Sequence, residues 1–388
     1  MHKKLSLNNR KNCCKRYKKI AWIIVTAFVI ILFVTTGKYF ISNFIFQIKD
    51  SVKAFMAGTE NGFPCEIEGG KVSSKNINTL NGNIVISSDK FFESFNLSGN
   101  KISCRPHNLS NPIMKSCGSR AILYDVGGNG YSIETCSENI LKENSECKIL
   151  CADISENGVY GLITESPYYL SKMSVFNPDK TEKYKYNFAD FYVCGFSVKT
   201  DGSGAAICGN TSVNGEINSF IYVFNFSKKD PVITYNIQNQ MIISVNYISN
   251  KNLVAIGDKS IIFIDTLKNQ KKEINYTPKL LKSIHIDKNF GVIYCIASKC
   301  EDKEAKLILT DINGKIKFEK DIENSVDRIL RYENKILCAK DKTLFIYDIL
   351  GKFKNKIDMD GSSTEILKIS SSEAVILKNK ILEKINIF

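Results

Sequence analysis

The stretch LFIYDILGK, residues 344–352, combines a short strand pattern with a tight turn. Apolar and aromatic residues alternate with their neighbours up to Asp348, and Gly351 and Lys352 follow within four residues. A period of two is typical of a strand, and Asp followed closely by Gly is typical of a turn. The same pattern returns along the chain, so this stretch is one copy of a repeated unit.

Seven copies share alternating apolar residues followed by Asp or Asn and a polar turn. Their turn residues are Asn96, Asn177, Asn225, Asp265, Asp311, Asp348 and Asn386. The intervals are 81, 48, 40, 46, 37 and 38 residues, and because the first is twice the others, NGYSIETCSEN at 129–139 is interpreted as a degenerate eighth copy. A mean interval of about 41 residues holds four short strands and is the period of a β-propeller blade.

The predicted fold class is therefore all-β, a β-propeller of eight four-stranded blades. A second landmark supports it, since a turn rich in Gly, Asn and Asp precedes the repeats, as in VKTDGSGAAICG at 198–209. Seven blades with an irregular insertion is the alternative, because residues 97–160 are the least regular. The repeated Asp and Asn residues are interpreted as bonding their own backbone to close a turn.

The last repeat, KILEKINIF at residues 380–388, stops after its third strand. A ring would then expose a sheet edge, and unpaired edges promote aggregation. CEIEGGKVSS, residues 65–74, precedes the first blade and is predicted to supply the missing fourth strand of the last one. The predicted propeller domain covers residues 63–388.

The N-terminal segment has the features of a membrane anchor. Residues 1–19 carry eight Lys and Arg and no acid, and the next eighteen, IAWIIVTAFVIILFVTTG at 20–37, carry no charge. Eighteen helical residues span about 27 Å, close to the thickness of a bilayer core. The charge asymmetry predicts a basic cytoplasmic tail at 1–19, a single-pass transmembrane signal anchor at 20–37 and an extracytoplasmic propeller. A cleaved signal peptide is the alternative, although the cleavage site would be poor.

Residues 38–62 are predicted to form a helical stem that Gly58 and Gly62 end. Its apolar residues recur at helical spacing and are Ile41, Phe44, Ile45, Ile48, Val52 and Phe55. This stripe could dock on the propeller, lie at the membrane interface, or pair with another copy of the chain.

The net charge of +13 does not indicate a nucleic-acid-binding protein. Eight of the 53 basic residues lie in residues 1–19, which leaves 45 basic against 40 acidic residues with the two signs interspersed. Binding to phosphate needs a concentrated basic face. The expected partners are the lipid bilayer, through the transmembrane helix, and a protein of the cell envelope, with no nucleic acid.

Eleven of the thirteen cysteines follow residue 19, an odd number that leaves at least one unpaired within a single chain. The sequence has no C-x-x-C and only three histidines, so its spacings match no zinc site. Most cysteines lie in apolar strand patterns, such as Cys194 in FYVCGFSV and Cys295 in GVIYCIAS. They are interpreted as small buried side chains in preference to a disulfide framework.

Three segments carry a family resemblance: GFPCEIEGG at 62–70, NIVISSDKFFESFNLSG at 83–99 and RAILYDVGGNGYSI at 120–133. They resemble an uncharacterised Firmicutes family, a domain of unknown function, and the resemblance covers nearly the whole chain. It implies a single-pass membrane protein with an extracytoplasmic propeller similar to those of quinoproteins and WD repeats. It implies no catalytic residues.

The sequence contains no recognisable enzyme motif. Quinone-dependent dehydrogenases use tryptophan docking motifs, whereas the single tryptophan here, Trp22, lies in the predicted membrane span. No C-x-x-C-H or G-x-S-x-G occurs, and DMDGSSTE at 358–365 lacks the ligand spacing of a calcium loop. We therefore predict no catalytic residues, no cofactor and no metal.

Aromatic residues are dense in SPYYLSK and YKYNFADFYVCGF, between residues 166 and 196. Exposed aromatics anchor partners, whereas buried ones would fill the core between two blades, which is the favoured interpretation. The candidate binding patch consists of Tyr168, Tyr169, Tyr186, Phe188, Asp190, Phe191 and Tyr192.

The predicted function is that of a membrane-anchored binding or scaffold module in the cell envelope. The alternative is an envelope enzyme with a site of carboxylates and tyrosines in the central channel of the propeller. Asp and Glu side chains that converge at the channel mouth would favour the enzyme. An aromatic patch on an outer face would favour binding.

Overall fold

Five of the seven repeated Asp and Asn residues accept backbone hydrogen bonds within their own turns, as the sequence predicts. In the computed structural model, the Asp348 carboxylate accepts hydrogen bonds from the backbone N–H groups of Leu350 and Lys352, both at 2.9 Å. Asp311 makes the equivalent bonds in its own turn. Because these turns join the third strand of a sheet to the fourth, the opening stretch occupies the same place in its unit as the other copies do.

The structure describes residues 43–288, 290–298, 303–359, 365–368 and 372–387. Within them lie a helix, α1, at residues 43–56, and 32 strands. The first sixteen strands are β1 (Cys65–Glu66), β2 (Val72–Leu80), β3 (Asn83–Ser88), β4 (Phe91–Phe95), β5 (Lys101–Pro106), β6 (Pro112–Cys117), β7 (Arg120–Asp125), β8 (Gly130–Glu134), β9 (Asn139–Asn144), β10 (Ile149–Ile154), β11 (Tyr160–Thr164), β12 (Ser171–Phe176), β13 (Glu182–Phe188), β14 (Tyr192–Val198), β15 (Gly204–Val213) and β16 (Glu216–Asn225). The others are β17 (Ile233–Gln238), β18 (Ile242–Tyr247), β19 (Asn252–Gly257), β20 (Ser260–Asp265), β21 (Gln270–Asn275), β22 (Leu280–Asp287), β23 (Gly291–Ala297), β24 (Lys303–Asp311), β25 (Ile316–Asn324), β26 (Arg328–Tyr332), β27 (Lys335–Lys340), β28 (Thr343–Asp348), β29 (Phe353–Asp358), β30 (Glu365–Lys368), β31 (Glu373–Lys378) and β32 (Ile381–Asn386).

These strands form eight antiparallel sheets of four strands, which are the blades of a propeller. Blades 1 to 7 each use four consecutive strands, from β2–β5 for blade 1 to β26–β29 for blade 7, and blade 8 has the order β1-β32-β31-β30. The prediction of eight blades is confirmed, and the alternative of seven is wrong. The irregular stretch forms a complete blade 2, β6–β9, whose third strand is the degenerate copy.

Blade 8 closes the ring because it combines strands from the beginning and the end of the propeller domain. Cys65 of β1 faces Leu382 of β32, and the N–H of Ile67 donates to the Lys380 carbonyl at 2.9 Å. The predicted closure is therefore correct, but the closing strand is shorter than residues 65–74. Residues from Val72 onward belong to β2, because that segment turns away to begin blade 1.

Apolar side chains fill the space between neighbouring blades. Eight buried clusters each combine residues of two adjacent blades. The second strand of most blades is buried along its whole length, as in β7 and β19, because it has a strand on either side and a blade above and below. The outermost strands, such as β29, are largely exposed.

The two ends of the propeller differ in their loops. We call "turn face" the end with the turns that join the first strand of a blade to the second and the third to the fourth. We call "mouth face" the opposite end, where the second strand joins the third and one blade joins the next.

The second half of helix α1 packs on the turn face through its polar side. The buried carboxylate of Asp50 accepts the N–H of Ser137 and the side-chain amide of Asn81, both at 3.0 Å. Lys53 donates to the Ser137 carbonyl at 3.1 Å. The apolar side chain of Phe55 is 74% exposed, so the predicted stripe does not dock on the propeller along this half of the helix.

The chain divides into two compact units, Met1–Ile48 and Lys49–Phe388. Of the first unit the structure describes residues 43–48, which are helical, with Phe44, Ile45 and Ile48 exposed. The predicted tail at 1–19 and anchor at 20–37 lie outside the described residues, as does most of DMDGSSTE. In the described part of the chain, no helix has the length and apolar character that a membrane crossing requires.

No disulfide links any two of the ten cysteines in the described residues. The interpretation as buried side chains is correct for Cys117, Cys136, Cys208, Cys295 and Cys338. It is wrong for Cys194, whose side chain is exposed. The reason is that Cys194 is an extra residue in β14, which interrupts the alternation of the strand.

Candidate functional site

The first strands of the blades surround a central channel. Successive first strands contact one another from β2 through β6, β10 and β14 to β18, and from β22 through β26 and β30 back to β2. On the side of blades 1 to 5 the channel widens into a cavity of about 650 Å³. Its wall includes Lys75 of blade 1 and Lys115 of blade 2, followed by Cys151, Cys194 and Ile243 of the next three blades.

Bulges occur near the start of four first strands, and three of the four inserted residues line this cavity. The register of β10, β14, β18 and β22 shifts after the first or second residue, so that one extra residue is inserted. The inserted residues are Leu150, Cys194, Ile243 and Lys282. A bulge re-aims its extra side chain, which explains why alternation along FYVCGFSV wrongly places Cys194 in the core.

The described wall of the channel cavity is cationic. It contains two lysines, Lys75 and Lys115, and no Asp or Glu. The carboxyl group of Asp153 follows directly on β10, where it accepts the Val198 N–H at 2.8 Å. Burial raises the pKa of Asp153 above its usual range, and Lys115 opposes that effect. Within the described wall of this cavity, no two carboxyl groups converge.

The structure divides the predicted aromatic patch into buried and exposed residues. Phe188 and Phe191 are buried between blades 3 and 4. Phe191 stacks on Phe220 with ring centroids 5.0 Å apart, and Tyr186, half-buried, packs edge-on against Phe224 at 4.9 Å. These three residues belong to the core between blades 3 and 4, where aromatic rings of the outer strand β13 pack against rings of blade 4.

The other four residues lie exposed on the mouth face. Tyr168, 90% exposed, and Tyr169 belong to the loop between β11 and β12, and Tyr192, 63% exposed, begins β14. The Leu170 N–H donates to the Phe188 carbonyl at 2.9 Å, which holds the tyrosine loop beside the segment that contains Asp190 and Tyr192.

Two further apolar residues extend this surface across blade 5. Asn210 faces Tyr192, and its side chain donates to the Ile242 carbonyl at 3.1 Å and accepts the Ile242 N–H at 3.2 Å. Met241 and Ile243, the latter 51% exposed, therefore lie next to Tyr192 at the channel opening. We call the following six residues the mouth strip: Tyr168, Tyr169, Asp190, Tyr192, Met241 and Ile243.

Sequence reasoning missed Met241 and Ile243 because MIISV reads as an ordinary apolar strand. The signal that could have revealed them is positional. The inserted residue of a bulge in a first strand can be turned out of the core, as Ile243 is, although Leu150 in the bulge of β10 stays partly buried.

A groove adjoins the mouth strip on blades 2 and 3. It has a volume of about 550 Å³, and its wall includes Tyr168, Tyr169 and two lysines, Lys172 and Lys185. Among the described residues, no group of three or more His, Cys, Asp and Glu has an arrangement that could hold a metal ion.

A protein-family profile described as "Family of unknown function (DUF5711)" matches residues 65–387. The chain belongs to this family. The resemblance seen in the sequence is thereby confirmed for a domain of unknown function with a propeller fold. The Firmicutes origin and the single membrane span of this DUF5711 chain stay predictions.

Solved structures share the fold of the DUF5711 chain. BamB from Moraxella catarrhalis has a TM-score of 0.53 and 12% sequence identity, over 84% of this chain and 100% of that one. Apo AztD from Citrobacter koseri also has a TM-score of 0.53 and 12% identity, over 74% of this chain and 87% of that one. In all, 1131 chains match, so the likeness establishes a propeller without selecting a function. No curated protein matches the sequence significantly.

Proposed function

We propose that this protein is a membrane-anchored, extracytoplasmic propeller whose mouth strip binds a segment of another protein of the cell envelope. The observation that carries the proposal is the set of exposed side chains of Tyr168, Tyr169, Tyr192, Met241 and Ile243 on the mouth face, beside a cavity whose described wall has no carboxylate. Exposed aromatic and Met side chains are enriched at protein interfaces, and large aromatic anchors contribute most of the binding energy.

The charge of the channel indicates what the partner segment carries. Lys75 and Lys115 both line the cavity below the strip, and the described wall of that cavity has no carboxylate. A cationic surface attracts a complementary anion and helps to select the partner. We therefore propose a peptide segment with apolar or aromatic side chains for the strip and a carboxylate for the channel.

The position of helix α1 is compatible with an anchor on the N-terminal side. The helical residues 49–56 lie on the turn face, through Asp50 and Lys53. Residues 49–56 therefore do not cover the mouth face.

Site-specific photo-crosslinking in native membranes tests the binding role. A photoreactive amino acid in place of Tyr192 is expected to give one defined protein adduct, whereas the same amino acid in place of Leu350, 80% exposed on the turn face, gives none. Lys115→Glu in the Tyr192 probe chain is expected to reduce the adduct about ten-fold, because it replaces attraction by repulsion. Lys229→Glu, an exposed lysine on the turn between β16 and β17, is the matched control and should leave it unchanged. Equal adducts at both positions, or no effect of Lys115→Glu, would contradict the proposal.

The membrane topology has its own test in intact cells. We expect a membrane-impermeant amine reagent to label the exposed lysines of the outer strands, such as Lys271 and Lys354, without permeabilisation. An epitope tag at the N-terminus should be detected by antibody only after the membrane is opened, because the eight positive charges of residues 1–19 retain that end in the cytoplasm. A tag accessible from outside would show that the orientation is wrong.

A further inference from the structure

Two cysteines of blade 4 lie in contact in the wall of the central channel. Cys194 is on β14 and Cys208 on β15, the neighbouring strand, and their Sγ atoms are 3.7 Å apart. Cys194 is exposed to the channel, whereas Cys208 is buried behind it. The Cys194 thiol can therefore react with a reagent in the channel, and the Cys208 thiol lies close enough to react with Cys194 afterwards.

The bulge in β14 creates this arrangement. Val193 faces Gly209 and Gly195 faces Cys208, so Cys194 is the extra residue and its side chain turns toward both the channel and Cys208. Gly195 leaves the room that the thiols occupy, since an added Cβ there would lie 2.6 Å from the Cys208 Sγ. A disulfide needs a sulfur separation of about 2.05 Å, so the two atoms must approach by about 1.7 Å.

Hydrogen bonds prepare the two thiols for different roles. The Cys194 and Cys208 thiols share a hydrogen bond in which either sulfur can be the donor, and the side-chain amide of Asn210 donates to the Cys194 sulfur at 3.2 Å. The hydrogen bonds with Cys208 and Asn210 lower the pKa of Cys194, against an opposing effect of burial. The hydrogen bond between the two thiols raises the pKa of Cys208. The Ile242 carbonyl, 3.1 Å from the Cys194 sulfur, accepts a hydrogen bond from the Cys194 thiol when that thiol is protonated.

We propose that Cys194 and Cys208 form a redox-active dithiol that exchanges with small-molecule disulfides in the central channel. Cys194 is the attacking group because it lines the cavity of about 650 Å³. Cys208 is the resolving group because it is buried beside Cys194 and no channel-facing position is open to it. The dithiol lines the same cavity as Ile243 of the mouth strip, but its reaction does not depend on the binding role.

The exchange has two balanced steps. The Cys194 thiolate attacks one sulfur of a disulfide RS–SR, forms Cys194–S–S–R and releases RS⁻, which takes up the proton that Cys194 lost. Cys208 then loses its proton, and its sulfur attacks the Cys194 Sγ and displaces the second RS⁻, which that proton neutralises. Two electrons pass from the protein thiols to the small disulfide, which leaves as two RSH molecules.

A second cysteine pair in the same chain provides an internal control. Cys295 and Cys338 pack in the core between blades 6 and 7, and both are fully buried. A disulfide reagent that reaches cysteines only through global unfolding would modify this pair as readily as the channel pair.

The test uses the reduced full-length protein in detergent, with oxidised glutathione as the probe. After quenching with N-ethylmaleimide in denaturant, mass spectrometry of peptides is expected to show a Cys194–Cys208 disulfide and free thiols at Cys295 and Cys338. The reaction of the channel pair should be at least about ten-fold faster than that of the buried pair, because access controls thiol reactivity. Free thiols at both Cys194 and Cys208, or a disulfide between other partners, would overturn the proposal.

Single substitutions separate the two roles. Cys208→Ser keeps a hydrogen-bond donor beside Cys194 and is expected to accumulate a glutathione adduct on Cys194 that does not resolve. Cys194→Ser should abolish reaction at Cys208, because the buried thiol has no access of its own. Melting curves of the reduced variants serve as the folding control. A glutathione adduct on Cys208 in a folded Cys194→Ser protein would show that the assigned roles are wrong.

Discussion

Leu382→Asp is expected to open the ring and to cause one of the two largest losses of stability that a single substitution can produce in this protein. Leu382 is fully buried, faces Cys65 across the closing strand pair, and packs with Phe63 and Ile67 between blades 8 and 1. The variant removes a core side chain and places a charge in that core, which together cost at least about 4 kcal/mol. Thermal unfolding of the full-length protein in detergent should show a fall in Tm of roughly 5–10 °C, or the protein should aggregate.

The neighbouring residue provides a matched control for the seam. Ile381 lies on the same strand and faces Glu66, but its side chain is 42% exposed. Ile381→Asp should change stability by only about 0.5 kcal/mol. If the two variants melt at the same temperature, strand β1 does not close the ring as described. A second variant, Ile67→Asp, attacks the seam from the other side and should match Leu382→Asp.

Phe191→Ala is expected to destabilise the propeller by about 3–5 kcal/mol, since it leaves a cavity in the core between blades 3 and 4. Phe191 is 1% exposed and stacks on Phe220, with Tyr222 edge-on at 5.0 Å. Denaturant unfolding of the full-length protein followed by tyrosine fluorescence would measure the loss.

Tyr168→Ala separates the two interpretations of the aromatic segment. Its side chain projects into solvent, so its removal should change the free energy of unfolding by no more than about 0.5 kcal/mol while it weakens the crosslink to the partner. A large loss of stability in Tyr168→Ala, or none in Phe191→Ala, would contradict the division of the patch into an exposed strip and a core.

The turns show how much of the fold could be predicted from short stretches of sequence. The carboxylate or amide of Asp348, Asp311 and Asn225 bonds the backbone within its own turn, so the signal is contained in four or five consecutive residues. The number of blades follows from the spacing of those turns. Closure between Cys65 and Leu382 was also predictable, because an eighth unit with three strands leaves one edge to be paired.

The sequence by itself determined the period, the number of blades and the need for a closing strand, because strand alternation and turn hydrogen bonds act between residues that are close in the chain. The tertiary structure alone decided which aromatic residues are exposed, where β1 ends, and that Cys194 faces the channel. Those outcomes depend on contacts between separate blades and on an inserted residue that reverses the alternation, and neither has a local signature. The mouth strip likewise exists because Asn210 of blade 4 bonds Ile242 of blade 5, which brings Tyr192 and Ile243 together across about fifty residues of chain.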